Sequence, residues 1–258
     1  MAELPGEVIL TTESGLHAVG HEQPRERWHG FQIVDLDGWG PLDVDADTVA
    51  NVTGGSLRGI PRDQERVIAV SGRCWADSEG ELLEQKRLIE GLPSSDELRV
   101  TELGETLTAS VDRHGTARFK PIYNYGRPAA NWSVQWVAAD PYRYGETQRF
   151  VVRPGRSVTV WHHGNAPAWP KLVLRGPLAI HLDIRLNKRT ITMRTAVGTG
   201  ETVDLDMATG FGISNRRGLL MHQVTRIPGY VPPFKDVSLD VIGSGSGSVE
   251  AFITDTYK

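Results

Sequence analysis

The chain predicts an all-β fold of two β-sandwich domains, the first with one α-helix, and three observations carry that expectation. Gly and Pro together contribute 43 of 258 residues and are scattered along the whole length. The apolar residues between them fall mostly in short alternating runs, and helical spacing stands out only near residues 77–91. Alternation broken by turn formers is the signature of a twisted antiparallel sheet, because successive side chains of a strand point to opposite faces.

In chain order, the first domain has candidate strands at 7–11, 28–35, 66–75, 97–103, 106–112, 117–125 and 132–139. Residues 109–111 and 116–118 flank Asp112-Arg113-His114-Gly115, and Gly115 takes positive φ without steric cost, so the pattern predicts a hairpin there. The helix runs from Asp77 or Ser78 to about Gly91. Either residue can accept from the free amides of the first turn, while Glu79, Glu81 and Glu84 suit the positive end of the dipole. Leu82, Leu88, Ile89 and Leu92 form its apolar stripe, and Gly91 and Pro93 end it. A single helix in such a domain is expected to plug an open sandwich face.

Beyond residue 145 no helical pattern survives. Strands are expected at 148–152, 157–162, 171–175, 179–186, 189–196, 201–207, 219–224, 237–242 and 248–255, a spacing that suits a second sandwich. Leu186-Asn187-Lys188-Arg189 reads as a tight hairpin, and Gly243-Ser244-Gly245-Ser246-Gly247 as a flexible loop between the last two strands.

Composition narrows the function classes. At 39% hydrophobic and 23% charged residues the chain has the balance of a globular protein. It lacks both an apolar run of roughly 18 residues and a basic-then-apolar leader, so neither a membrane span nor a secretory signal is expected, and synthesis in a cytoplasm follows. The single Cys74 forms no internal disulfide, which suits a reducing compartment. The sequons at 51–53 and 131–133 are then chance matches. Residues 1–140 carry 13 basic and 23 acidic side chains, net −10, against 15 and 9, net +6, for 141–258. Such asymmetry points to two domains with different neighbours.

No catalytic, cofactor or metal motif emerges. Asp35, Asp37, Asp43, Asp45 and Asp47 crowd one segment, but Gly38-Trp39-Gly40-Pro41 interrupts the alternate spacing that an EF-hand loop needs. His162 and His163, if adjacent on a strand, face opposite ways and cannot grip one ion; with His181 they make only a weak set. No Gly-x-Ser-x-Gly elbow is present, Cys74 reads as a small buried hydrophobe, and Gly54-Gly55-Ser56 lacks the Lys-Ser/Thr pair of a phosphate loop. A glycosidase carboxylate pair is not identifiable. Trp161 and Trp169, with Tyr142 and Tyr144, either stack on sugar rings or fill the inter-domain seam or core; packing is the commoner use of aromatics in alternating runs.

Two stretches mark a junction between the halves: Asp140-Pro141-Tyr142-Arg143-Tyr144-Gly145, and Gly164-Asn165-Ala166-Pro167-Ala168-Trp169-Pro170. With the loop Asp37 to Pro41, the strand Val67-Ile68-Ala69-Val70-Ser71-Gly72 and the helix start Glu81-Leu82-Leu83, their order resembles the distal tail protein family of long-tailed phages with non-contractile tails. The resemblance implies an N-terminal ring-forming sandwich over 1–143 with a helix and a projecting hairpin, followed by a galectin-like sandwich over 144–258. It implies a non-enzymatic virion protein, without cofactor or metal, in which six copies form a ring joining the tail tube to the tail-tip or baseplate complex. Tube, tape-measure and tip hub or fibre proteins would be its partners, and DNA would pass through the channel without specific binding. Asp112, Arg113, His114 and Gly115 would reach a neighbouring subunit, and Asp140, Pro141, Tyr142, Asn165, Pro167 and Trp169 would form the inter-domain junction. The acidic half would line a channel that repels phosphate, with the basic half outside. The alternative is a glycan-binding tail module that grips a cell wall through Trp161 and Trp169.

Overall fold

The computed structural model describes residues 8–20, 29–41, 44–45, 48–50, 56–58, 62–122, 126–220 and 229–258. The chain divides into two compact units, Met1–Arg143 with Lys258, and Tyr144–Tyr257. Glu7, Trp28, residues 51–55, 123–125 and 221–224, and Asp43 and Asp47 of the acidic run, lie outside the described residues.

The first unit contains β1 (Val8–Thr12), β2 (His17–Gly20), β3 (Gly30–Asp37), β4 (Val44–Asp45), β5 (Thr48–Ala50), β6 (Ser56–Arg58), β7 (Arg62–Asp63), β8 (Arg66–Trp75), α1 (Glu79–Glu90), β9 (Ser95–Glu102), β10 (Glu105–Arg113), β11 (Arg118–Ile122) and β12 (Ala129–Ala138). Strands β4 with β7 and β5 with β6 form two small ribbons. The main sheet runs β12-β8-β3-β2-β1-β9-β10, and the end of β10 returns to β12, so it closes into a barrel. The two layers expected of a sandwich are here opposite walls of one closed sheet. Closure removes the exposed edges of the strands that take part.

Alternation builds the barrel interior. Ile68, Val70, Gly72 and Cys74 of β8 face Trp136, Val134, Trp132 and Ala130 of β12 in register, and all are buried. Gly72 is there for space: a Cβ would lie 1.8 Å from the Gln32 oxygen and 3.0 Å from Trp132 Nε1. The Trp132 indole fills that room, donating to the Gln32 and Arg73 oxygens at 3.3 and 3.2 Å and meeting Phe31 edge-on at 5.4 Å. Helix α1 starts as its residues dictate, with the Ser78 hydroxyl accepting from the Glu81 amide at 3.2 Å and Gly91 closing onto the Arg87 oxygen at 2.8 Å. It packs against β8, β11 and β12 with Ile89 buried, while Leu83 is exposed.

The hairpin expected at Asp112–Gly115 is not formed. Asp112 and Arg113 pair with Val137 and Trp136, the His114 amide donates to the Gln135 oxygen at 2.8 Å, and β11 pairs with β12. Gly115 does take φ 71, so the turn chemistry was real. The ten-residue strand β12 offers ladder partners to both segments, and that pairing outcompetes a local hairpin. The tight turn lies instead at Leu103 and Gly104, φ 53 and 82, between β9 and β10.

The second unit holds β13 (Arg143–Val152, its first residue apart), β14 (Arg156–Val160), β15 (Lys171–Arg175), β16 (Leu182–Leu186), β17 (Arg189–Met193), β18 (Thr202–Asp206), β19 (Gly212–Ser214), β20 (Gly218–Leu219), β21 (Val237–Ile242) and β22 (Ser248–Tyr257). One sheet runs β13-β22-β15-β18-β19-β20 and the other β14-β21-β16-β17. Their inner faces share a core that includes Leu172, Leu174, Val203, Leu205 and Ile253 on one side and Leu182, Ile184, Ile191, Leu239 and Val241 on the other. Asn187 and Lys188, at φ 45 and 63, make the expected hairpin. The Gly-Ser segment is a loop but a tethered one: Gly245 bridges Leu178 and the Gly247 amide donates to the Pro177 oxygen at 2.9 Å.

Candidate functional site

In the first unit the loop Asp37–Pro41 and the stretch Asp140–Tyr142, far apart in sequence, are held by one side chain. Arg66, at the start of β8 and only 3% exposed, donates through Nε to the Pro141 oxygen at 2.9 Å and through Nη1 to the Gly38 and Gly40 oxygens at 2.7 and 2.6 Å. Arg143 adds bonds from Nη1 to the Trp39 oxygen and from Nη2 to the Lys258 oxygen, both 2.6 Å, with its guanidinium 5.7 Å from the buried Trp39 ring. Gly38, at φ 76, has Val67 so close that a Cβ would sit 1.8 Å from its oxygen. Burial, and then repulsion from Arg143, pushes the Arg66 guanidinium down to about 10, which leaves it charged at neutral pH. Asp140 accepts from the Tyr142 amide at 3.2 Å, shaping the turn, and the Lys258 ammonium stands 6.0 Å from the Tyr142 ring.

Asp112 and Asp140 meet in an open groove whose lining also includes Glu13, Asp96 and Glu97 and carries no basic side chain. Two of its carboxylates are tied by hydroxyls, Ser95 donating to Asp112 at 2.6 Å and Ser14 to Asp96, while Arg99 pairs with Glu97 at 2.7 Å. Arg113 is turned away, with Nη1 on the Leu92 oxygen at 2.6 Å. His114 and Gly115 line a second groove beside Asp35. The tip residues expected to act together therefore serve two different surfaces. Asp35 and Asp37 are exposed, and Asp37 accepts from the Gly38 amide at 2.8 Å.

In the second unit residues 161–170 alternate strictly. His162, Gly164, Ala166, Ala168 and Pro170 are buried, whereas Trp161, His163, Asn165 and Trp169 are exposed and Pro167 is half-buried. Strand β14 stops at Val160, so the two histidines follow it rather than end it. Gly164 lies so close to β22 that a Cβ would be 2.0 Å from the Thr256 oxygen, which also accepts from the Ala166 amide at 3.0 Å. His162 Nδ1 accepts from the Gly164 amide at 3.0 Å, and burial pulls its pKa down despite Asp255 nearby. Trp161 meets Phe150 and His163 edge-on, at 6.4 and 4.7 Å, and Trp169 lies 6.2 Å from Tyr230. Neither tryptophan is among the core residues of the second unit; Trp161 and Trp169 are 36% and 37% exposed. The large side chains take the outer face, while the small Gly164, Ala166 and Ala168 take the inner one.

Sequence reasoning missed the charged groups that organise both units. Besides Arg66 and Arg143, Glu250 on the outer face of β22 is covered by Arg149 and Arg175, at 2.9 and 2.7 Å. Glu201 is buried against Ser214 and Arg217. For Arg66 a signal existed: an arginine occupies an inward position of an otherwise apolar alternation. Among the described residues, His29, Asp77 and Glu81 form the sole cluster with metal-ligand spacing.

A closed, helix-bearing β-barrel unit followed by a two-sheet β-sandwich unit defines a class of modular all-β proteins. No family model and no curated protein matches the chain. Among solved structures, SPP1 Dit (gp 19.1), described as a paradigm of the hub adsorption apparatus in phages infecting Gram-positive hosts, superposes with a TM-score of 0.69 at 14% identity, covering 89% of this chain and 94% of that one. The fold is thus Dit-like. Chains of the phage p2 baseplate in its activated conformation, with Sr and with Ca, match at a TM-score of 0.48 and 9% and 10% identity, covering 95% and 98% of this chain and 97% and 98% of theirs.

Proposed function

We propose that the chain is a distal tail subunit of a phage, a non-catalytic virion protein whose copies form a ring between the tail tube and the tail-tip complex. The observation that carries this reading is the Dit-like fold over 89% of the chain, TM-score 0.69. The resemblance of the ordered motifs adds six-fold closure and tube, tape-measure and tip proteins as neighbours. The first unit, 1–143, forms the ring, and 144–258 is a galectin-like module. Of Asp112, Arg113, His114 and Gly115, the subunit contact draws on His114 and Gly115, which share a groove that Asp112 and Arg113 do not line. The acidic groove supports the channel idea, since the carboxylates of Glu13, Asp96 and Asp112 along it repel passing phosphate. Light scattering and electron microscopy of the purified chain test the reading: hexameric annuli are expected, and a monomer at every concentration that is also absent from virions overturns it.

A second reading, glycan binding by the second unit, is favoured by one observation, the exposed indoles of Trp161 and Trp169. Binding on a cell-wall glycan array that disappears in Trp169→Ala would support it.

A further inference from the structure

We infer that His29, Asp77 and Glu81 form a binding site for a divalent transition-metal ion of the zinc type on the first unit. The His29 Nε2 atom lies 2.5 Å from Glu81 Oε1 and 3.8 Å from Asp77 Oδ2, and one ligand atom from each of the three falls within 4.8 Å of the others. Glu81 lies in α1, and the other two adjoin regular elements. The β3–β8 ladder pairs Gly30 with Trp75, which places His29, one residue before the ladder, beside the chain entering α1. Asp77 precedes the helix cap Ser78, and Glu81 lies in the first turn.

Glu81 is aimed by its own bonds. Its Oε2 accepts from the Asp77 amide at 2.9 Å, leaving Oε1 to face the imidazole. The site is open to solvent, with His29 49% and Asp77 81% exposed, so an ion can enter without any opening of the fold. As an ordinary surface ion pair His29–Glu81 would contribute little, and Asp77 at 3.8 Å is outside hydrogen-bond range of the same nitrogen. The 2.5 Å contact is a direct hydrogen bond, so an ion replaces it by parting His29 Nε2 and Glu81 Oε1 to roughly 3.3 Å, a side-chain rotation on an open surface, and then serves both carboxylates at once.

Donor chemistry selects the ion. One imidazole nitrogen and two carboxylate oxygens suit zinc and its neighbours at the strong end of the Irving–Williams order, with bonds of about 2.0–2.2 Å. Three protein ligands are too few for calcium, which takes roughly six to eight oxygens. Bound zinc would keep one position for water and clip the start of β3 to the first turn of α1. The inference is independent of the tail reading.

Calorimetric titration of the full-length chain with zinc chloride tests it. One ion per chain is expected, with affinity about tenfold weaker in Asp77→Asn and lost in His29→Gln, and no heat with calcium chloride. Both variants should keep the wild-type circular dichroism spectrum; should His29→Gln misfold, Asp77→Asn alone decides. Cobalt substitution provides a second readout, a visible absorption band that disappears with the zinc-binding loss. Absence of wild-type binding up to about 1 mM zinc, far above the affinity of a three-ligand site, overturns the inference. Equal zinc affinity in Asp77→Asn and wild type overturns it as well.

Discussion

Arg66 Nε donates to the main-chain oxygen of Pro141 at 2.9 Å, so a side chain at the start of one barrel strand holds the stretch where the first unit ends. Its Nη1 bonds to Gly38 and Gly40 complete a three-carbonyl clasp inside the unit. Arg66→Met is expected to keep the stem packing and lose the clasp, leaving buried carbonyls without donors, for a loss of about 2–4 kcal/mol. Arg66→Lys should recover only part of this, since one ammonium cannot span three oxygens. Urea unfolding followed by intrinsic fluorescence measures both; an unchanged midpoint in Arg66→Met would remove the clasp from the account.

Two glycines of the same loop separate steric need from turn preference. At Gly38 a Cβ would collide with the Val67 oxygen at 1.8 Å, whereas at Gly40 nothing lies within 4 Å. Gly38→Ala is expected to destabilise by about 2 kcal/mol or more, and Gly40→Ala by less than about 1 kcal/mol. Equal melting temperatures for the two variants would contradict the close approach.

Much of this was legible in the residues, and the misses share a cause. Strands 171–175 and 237–242, the Asn187-Lys188 turn and the helix with its Ser78 cap all follow from local chemistry, and each stands where the sequence placed it. Pairing is not local. Nothing in 105–113 or 118–122 states that both pair with β12, so Asp112–Gly115 looked like a hairpin tip. The short strand Gly212–Ser214 went unseen because three residues show no period. The Asp37–Pro41 loop and the Asp140–Tyr142 stretch were visible as words, but their meeting through Arg66 was not, because the inward place of an arginine in β8 marks a buried charge and not its partners. For Trp161 and Trp169, too, alternation shows that two faces exist, not which one is inner.

Cys74 is expected to be chemically silent in the folded chain. It is fully buried, its thiol donates to Gln85 Oε1 at 2.8 Å, and burial, then the Glu81 charge, pushes its pKa up to about 12. Because the thiolate is the reacting form, an aromatic disulfide reagent at mildly alkaline pH should release no chromophore from native protein and one equivalent after denaturation. Prompt native labelling would place the side chain elsewhere.

Glu201 gives the second unit a pH dependence of defined sign. Burial alone would raise its pKa, but the Ser214 hydroxyl at 2.5 Å, the Gly198 amide at 2.8 Å and Arg217 Nε at 2.7 Å prevail and hold it at about 2, below the ordinary 4.5. A carboxyl that binds its proton more weakly when folded adds stability that is fully present above pH 4.5 and disappears as the pH falls toward 2. Arg217 is one-third exposed, so solvent screening limits the contribution to roughly 1–2 kcal/mol. Glu201→Gln should lose that amount at pH 7 and flatten the acid limb of the stability profile, while leaving it unchanged near pH 2. Urea midpoints across this range, for wild type and variant, measure the difference; parallel acid limbs would show that the Ser214–Arg217 network does not hold the carboxylate.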